Sequence, residues 1–424
     1  MDAKIPRNIV VSQAGPISAK ESAGRFARRL KKVRRFLYFY CLRILDRLVM
    51  VAYWSPTRGN DVLIVKLDAI GDFILWHHTA KAIRTLYPSE THRVVLLGNG
   101  LWCDLASEIG LWDEVWPLDR HRFLYDPRYR WSQMKKIRSS RFAIAIQPTY
   151  SREFLYGDAV IRITGARKRI GSVGDLANIS VQQKAISDRW YTKLIPATPD
   201  TQWEGSRNIE FVRGLGLTQP TFEPARLTRR YEKQRSIGNS APYYLLCPGA
   251  GLSGRRWNRS FFSRIAELIH DHTGWVGVIC GSQGEKEICL DIVLQCKAPL
   301  RNLAGSTSLL EMYKLISDAM VVISNETSAV HIAAAVCRPA VCILGGGHYG
   351  RFLPYDSAQL PPGVQAPATV IHRMACFGCN WRCCYDVPVE APLPCIENIT
   401  VEQVWQSVRL ILDDLVDPSY ASNQ

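Results

Sequence analysis

Twice along the chain, apolar runs of five to seven residues alternate with stretches of helical period, and this alternation restricts the fold more than any other feature. The first series holds DVLIVKL (61–67), RVVLLG (93–98), EVWPL (114–118) and FAIAIQ (142–147). The second holds YYLLCPG (243–249), WVGVICG (275–281), MVVIS (320–324) and AVCILGG (340–346), with helices expected at 259–272, 284–296, 308–318 and 327–337. Strands that are apolar on both faces and separated by helices imply a parallel sheet covered on both sides. Ser308, with Glu311 three positions later, reads as a capping box for one of the helices. Residues 217–242 mix Pro, Thr, Arg and Gly without a period and read as a linker. The expected fold class is therefore α/β, with two Rossmann-like doubly wound domains facing each other. The boundaries are an N-terminal arm (1–57), a first domain (58–220), a linker (221–242), a second domain (243–415) and a tail (416–424). A chain of 424 residues with 47% apolar content suits two cores better than one, and 12 Trp with 17 Tyr exclude a disordered chain.

The net charge of +15 is concentrated near the start. Between Lys20 and Arg47 stand ten basic residues against Glu21 and Asp46. Phe26, Leu30, Val33, Leu37, Ile44, Leu48 and Val51 recur at helical spacing, so the arm reads as a basic amphipathic helix. Arg43, Asp46 and Arg47 interrupt the apolar stretch, which excludes a membrane-spanning reading, and the segment does not have the layout of a cleavable signal peptide. Residues 20–54 are expected either to dock on an anionic membrane surface or to pack on the domain. Nucleic acid is not an expected partner, because the rest of the chain has no basic stripe with interleaved aromatics.

Of the 13 cysteines, Cys247, Cys280, Cys289, Cys337 and Cys342 lie in apolar stretches and read as small buried hydrophobes, which suits a reducing cytoplasm. In CFGCNWRCC, the thiols Cys376, Cys379 and Cys383, with Cys395 further on, have a spacing that also suits a metal.

Ligands of doubly wound sheets bind beyond the carboxyl ends of the strands, so polar interruptions there are the candidate site. The first strand runs into Lys66, Asp68, Gly71 and Asp72. Glycine is expected to allow a tight turn, and the two acids either cap the next helix or face the cleft. CPGAGLSGRRW (247–257) offers Gly249, Ala250, Gly251 and Arg255 before a helix, a combination suited to a diphosphate. In SNETSAVH (324–331), Thr327 and Ser328 can cap a helix, Glu326 can accept sugar hydroxyls, and His331 lies one turn on. GGGHYG (345–350) fits a dinucleotide fingerprint by spacing, yet no clear helix follows it and no acid ends a further strand where the fingerprint requires one.

Taken together, these segments resemble glycosyltransferase family 9, the ADP-heptose:lipopolysaccharide heptosyltransferases, over roughly residues 60–412. The resemblance rests on the D-x-x-G-D-like segment ending at Asp72, on Pro248, Gly249, Ala250, Arg255 and Trp257, and on Asn325, Glu326, Thr327, Ser328 and His331. It implies a GT-B fold and an inverting transfer, with Asp72 as general base, Arg255 on the donor phosphates and Glu285 near the donor nucleoside. Lys66 and Asp68 would lie on the acceptor side. It implies a nucleotide-sugar such as ADP-heptose as substrate, a lipid-linked glycan as acceptor, no cofactor and no required metal. The enzyme would be cytoplasmic, peripheral on the inner face of the membrane. Glu326 stands where the family more usually has Asp, and Ser328 where it has Gly, which bears on the donor's identity. A nucleotide-dependent oxidoreductase and a non-catalytic membrane-associated nucleotide-sugar binding protein remain as alternatives.

Overall fold

The computed structural model describes residues 37–53, 59–199, 203–217, 241–360 and 364–416. The basic residues before 37, nearly all of the expected linker and the tail beyond 416 lie outside them.

Two six-stranded sheets, parallel throughout, carry the chain. The first is built from β1 (Val62–Lys66), β2 (Val94–Asn99), β3 (Glu114–Leu118), β4 (Ile144–Gln147), β5 (Lys168–Ser172) and β6 (Lys193–Ile195), in the order β3-β2-β1-β4-β5-β6. The second is built from β7 (Tyr243–Cys247), β8 (Val276–Ile279), β9 (Leu300–Asn302), β10 (Val321–Asn325), β11 (Ala340–Ile343) and β12 (Ala368–Val370), in the order β12-β11-β10-β7-β8-β9. Both repeat one winding, in which the chain starts at the centre, moves to one edge, returns and fills the other. The central strands β1, β2, β4, β7, β10 and β11 are buried residue by residue, as apolar runs covered on both faces must be.

Helices start and stop where the chemistry of their ends requires. The Arg259–Thr273 helix is capped by Asn258, whose side chain accepts from the Ser260 N–H at 3.0 Å, and it ends at Gly274 in the left-handed region (φ 69°). Ser308 and Glu311 form the expected reciprocal box. The GGGHYG segment opens no helix, which removes the dinucleotide fingerprint.

The Ile70–Leu86 helix joins the two halves, packing against both the Glu204–Leu215 and the Ser328–Ala335 helices. One buried apolar cluster runs through them, from Ile64 and Phe73 in the first half to Val330 and Tyr355 in the second.

The N-terminal helix (37–52) packs on the domain, though not through its apolar stripe. The foreseen apolar stripe, Leu37, Ile44, Leu48 and Val51, points outward at 43–80% exposure, joined by Tyr40 at 54%. The opposite face, Leu42, Asp46 and Val49, does the packing. The reason is a buried ion pair: Arg130, fully enclosed, donates Nε and Nη2 to the two Asp46 oxygens at 2.7 Å each, and Nη1 to the Leu155 carbonyl at 3.0 Å. A bidentate guanidinium–carboxylate pair out of water dictates which side of the helix faces in. Asp46→Ala leaves the Arg130 cation buried and uncompensated, and is expected to cost about 3–5 kcal/mol of stability. Denaturant unfolding measures it, and a change under about 1 kcal/mol would show the pair to be incidental.

Candidate functional site

Beyond the carboxyl end of β1 the backbone delivers three charged side chains to one spot. Lys66, the last strand residue, is buried, and its Nζ lies 2.7 Å from Asp68 Oδ2. Thr149 donates to the same oxygen at 2.6 Å, while Asn99 Nδ2 and Trp102 Nε1 hold the Asp68 carbonyl at 3.2 and 3.0 Å. Neither Asp68 nor Asp72 caps the following helix: its N-cap is Ala69, without a side-chain hydrogen bond. Asp72 stands in the first turn and takes no part in the Asp68 hydrogen-bond network.

The two acids consequently titrate apart. Burial opposes ionisation of Asp68, but the Lys66 ammonium, the hydrogen bonds from Lys66 and Thr149, and Arg120 hold its carboxyl below the usual range. Burial, and then the Asp68 charge, push Asp72 up to about 7, with Lys66 and Arg351 pulling the other way. Burial alone would lower Lys66, yet the surrounding acids Asp68, Asp72 and Glu204 raise it above its ordinary value. A helix N-terminus favours a carboxylate; here burial outweighs it.

Gly71 is an ordinary helical residue, not the turn expected of it; its lack of a side chain serves a close approach. A Cβ there would stand 3.0 Å from His331 Cδ2 and 3.9 Å from Ser328 Cα. The starts of the Ile70–Leu86 and Ser328–Ala335 helices therefore abut, one residue from Asp72.

Asp68 and Asp72 line a cleft of about 400 Å³ between the halves. Its first-half wall comes from strand carboxyl ends and the segments that follow them: Asn99 at the end of β2, Arg120 after β3, Thr149, Ser151 and Glu153 after β4. Its other wall is His348, Arg351, Phe352 and Asn380. Arg351 ties the walls together, donating Nη2 to Ser151 Oγ at 2.9 Å and lying 3.4 Å from Glu204. Glu204 and Arg351 carried no motif, while His348 and Asn380 lay inside GGGHYG and CFGCNWRCC, segments flagged for a dinucleotide and for a metal. Thr149, Ser151 and Glu153 could have been found by applying the carboxyl-end rule to FAIAIQPTYSRE as it was applied to β1.

The second-half loops meet at the equivalent switch point, between β7 and β10. Buried Asn325 fastens them: its Nδ2 donates to the Pro248 carbonyl at 2.7 Å and its Oδ1 accepts from the Trp257 N–H at 3.2 Å. Thr327 caps the Ser328–Ala335 helix by accepting from the Ala329 N–H at 3.3 Å. Arg255 lies 3.2 Å from Glu326 Oε2, donates to the Glu326 carbonyl at 3.1 Å and rests 4.4 Å over the Trp381 ring. Burial pushes Glu326 up to about 7 against the pull of Arg255. Arg255 is not among the residues that line the Asp72 cleft; the ring it rests on, Trp381, follows the cleft residue Asn380 in the chain.

Gly249 and Ala250 are buried, and a Cβ on Gly249 would collide with the Glu285 carboxylate, so Gly249 makes room for that side chain. Glu285 also accepts from Ser282 N and Oγ, at 2.6 and 2.8 Å. Gly251 is exposed with open space where a Cβ would go. His331 is buried, with Nδ1 2.8 Å from the Tyr355 hydroxyl and the two rings parallel.

All thirteen cysteines are free. Among the described residues no three His, Cys, Asp or Glu side chains are arranged to hold a metal, so Cys376, Cys379, Cys383 and Cys395 form no such site in this structure. Cys337, read as buried, is exposed: it sits just past the Ser328–Ala335 helix in the left-handed region (φ 57°), where the chain leaves the core.

Comparison with known proteins agrees with this architecture. Residues 130–366 match the family model described as glycosyltransferase family 9 (heptosyltransferase). Over 325 residues the chain is 29% identical to lipooligosaccharide heptosyltransferase 2 of Haemophilus influenzae, covering 73% of this chain and 88% of that one. The Escherichia coli ADP-heptose lps heptosyltransferase II superposes with a TM-score of 0.60 at 18% identity, over 84% of this chain and 99% of that one. E. coli heptosyltransferase WaaC, solved with ADP-2-deoxy-2-fluoro heptose, gives 0.62 at 14% identity, over 82% and 99%. WaaC thus holds an ADP-sugar analogue on the same two-sheet, GT-B fold. With the family model spanning more than half of its length and the strand-end acids in place, the chain belongs to glycosyltransferase family 9, the heptosyltransferases, and is a glycosyltransferase.

Proposed function

We propose that this enzyme transfers heptose, or a closely similar sugar, from an ADP-sugar to a lipid-linked glycan acceptor of the lipopolysaccharide-core type, with inversion at the anomeric carbon. The observation that carries the reading is the abutment of the two helix starts: the loops of the second sheet open one residue away from an acid raised to about 7. The donor diphosphate lies against Arg255 and the first turn of the Ser328–Ala335 helix, with the sugar projecting into the cleft, while Glu285, Gly249, Ala250 and Gly251 frame the nucleoside side. An acceptor hydroxyl placed by Asp68, which buried Lys66 holds from behind the cleft surface, attacks the anomeric carbon from the opposite face. Its proton passes to Asp72, the new glycosidic bond forms as the bond to the diphosphate breaks, and ADP leaves. A base with a pKa near the working pH combines the right protonation state with driving force. Incubating the protein with a panel of nucleotide-sugars and core acceptors, and following ADP release and product mass, tests the reading; release of no nucleoside diphosphate from any donor would refute it.

The acid pair sets the pH profile. kcat/KM is expected to rise with pH and level off above about 7, as Asp72 loses its proton. Asp68→Asn removes the like charge that raises Asp72, so the rising limb should move to lower pH. A limb that stays in place would remove Asp68 from the electrostatics of Asp72.

Among the described residues no helix is long and apolar enough to cross a membrane. We assign the outward stripe of the 37–52 helix to docking on the inner, anionic membrane surface. Leu37, Tyr40, Ile44, Leu48 and Val51 face away from the protein, and the ten basic residues between Lys20 and Arg47 give the segment the charge for such a surface. Ile44→Glu with Leu48→Glu should lower sedimentation with phosphatidylglycerol vesicles by about tenfold or more, without changing the melting temperature, since neither residue is buried. Unchanged sedimentation would contradict the assignment.

A further inference from the structure

Two segments singled out in the sequence, GGGHYG at 345–350 and CFGCNWRCC at 376–384, are built for each other. A Cβ on Gly345 would stand 2.7 Å from the Trp381 ring, and one on Gly347 2.3 Å from it; on Gly346 it would stand 2.3 Å from the Phe377 ring. The glycines are where two aromatic rings lie directly on the backbone. Main-chain bonds close the contact: the Gly378 N–H donates to the Gly346 carbonyl at 2.8 Å, and the Asn380 N–H to the Gly347 carbonyl at 2.9 Å. At the tip, Asn380 and Trp381 are both left-handed, with φ of 52° and 59°. Asparagine tolerates this conformation, but a bulky ring seldom adopts it, and such residues persist where their surroundings over-determine them, often at ligand clamps.

The hydrogen-bond directions at the tip follow from the chemistry of its donors. Trp381 Nε1 can only donate, and it lies 3.1 Å from His348 Nδ1, so Nδ1 carries the lone pair. The imidazole proton is then on Nε2, which lies 2.6 Å from Asn380 Oδ1 and donates to it. Burial, with the Arg351 and Arg255 charges, keeps His348 below its ordinary range and neutral, against the opposing effect of the Asn380 bond. The amide oxygen being occupied, the NH₂ of Asn380 is left as an uncommitted neutral donor on the cleft wall. Of the other cleft groups, Asp68, Asp72, Glu153 and Glu204 accept, while Arg120 and Arg351 are paired with Glu153 and Glu204. A sugar hydroxyl can donate to one of those acids and accept from Asn380.

We propose that Asn380 is a specificity-determining residue, donating from Nδ2 to a hydroxyl of the transferred sugar, and that His348 and Trp381 are the positioning residues that aim it. The inference rests on the reading of this cleft as the sugar end of a nucleotide-sugar site. The same indole carries Arg255 on its face, so contacts to sugar and diphosphate depend on one ring.

The test pairs kinetics with a spectrum of the ligand-free enzyme. Asn380→Ala should raise KM for ADP-heptose by about tenfold while leaving inhibition by ADP unchanged, because ADP has no sugar to contact. Asn380→Asp, which turns the donor into an acceptor, should lose more. In ¹⁵N-histidine-labelled wild-type protein, His348 should give the neutral Nε2–H signature. In Trp381→Phe, which keeps a ring under Arg255 but removes the N–H, the imidazole should protonate at higher pH. A KM for ADP-heptose that stays constant in Asn380→Ala, or moves together with the ADP constant, would overturn the role of Asn380. An Nδ1–H tautomer in the wild type would overturn the positioning. Were no nucleotide-sugar turned over at all, the proposed function would fall, and the spectrum would still decide whether the positioning residues act as described.

Discussion

Asp72→Asn is expected to lose about 10²–10⁴-fold in kcat while binding ADP normally, the effect of removing a positioned general base. The same substitution should make the protein more stable at neutral and alkaline pH. The folded-state pKa of Asp72, about 7, lies well above the ordinary aspartate value of about 3.9. Between those two values the folded state retains a proton that the unfolded chain has released. Stability therefore falls as pH rises through this window, and above it the full cost of holding a half-buried carboxylate beside Asp68 is present. Asparagine carries no such cost. Discounted for the solvent in the open cleft, the gain is about 1–3 kcal/mol above pH 7, shrinking to nothing below about pH 4. Melting curves at several pH values, run beside the rate assay, separate this outcome from simple damage, which would lower both activity and stability.

Arg255→Met should cost about 10²–10³-fold in kcat/KM for the donor, since the guanidinium is proposed to meet charge gathering on the leaving diphosphate. The structure adds a second consequence. Arg255 is the cation beside buried Glu326, and it pulls that carboxyl down against burial. Without it Glu326 should rise further and hold its proton at neutral pH. Arg255→Lys keeps the charge but not the planar fork that reaches Glu326 at its edge while lying flat on Trp381, so it should fall between wild type and Met. Equal losses for Met and Lys would point to geometry over charge; wild-type rates in both would remove Arg255 from the reaction.

Central strands were legible in the sequence because burial on both faces forces continuous apolar runs: the run YYLLCPG holds β7, YYLLC, which is buried at every residue. The edge strands β6, β9 and β12, with sequences KLI, LRN and ATV, and β5 beside the edge, with KRIGS, were not. They are short, partly exposed and free to carry polar residues, so no pattern marks them. The acids after β1 were legible for a similar reason, since a buried strand that ends in carboxylates needs explaining. Asn380 and His348 were not, because their placement depends on a loop from beyond β12 folding back over three glycines after β11. In the 37–52 helix the stripe was legible but its direction was not, because that is set by a single buried pair, Asp46 with Arg130, which turns it outward.

The central claim is that a nucleotide-sugar lies with its diphosphate on the second half and its anomeric carbon over Asp72. A crystal structure with ADP-2-deoxy-2-fluoro heptose tests it directly. The account predicts the diphosphate against Arg255 and the first turn of the Ser328–Ala335 helix, with the anomeric carbon facing Asp72 across the cleft. A diphosphate held by Arg120 in the first half, or a sugar turned away from Asp72, would contradict it.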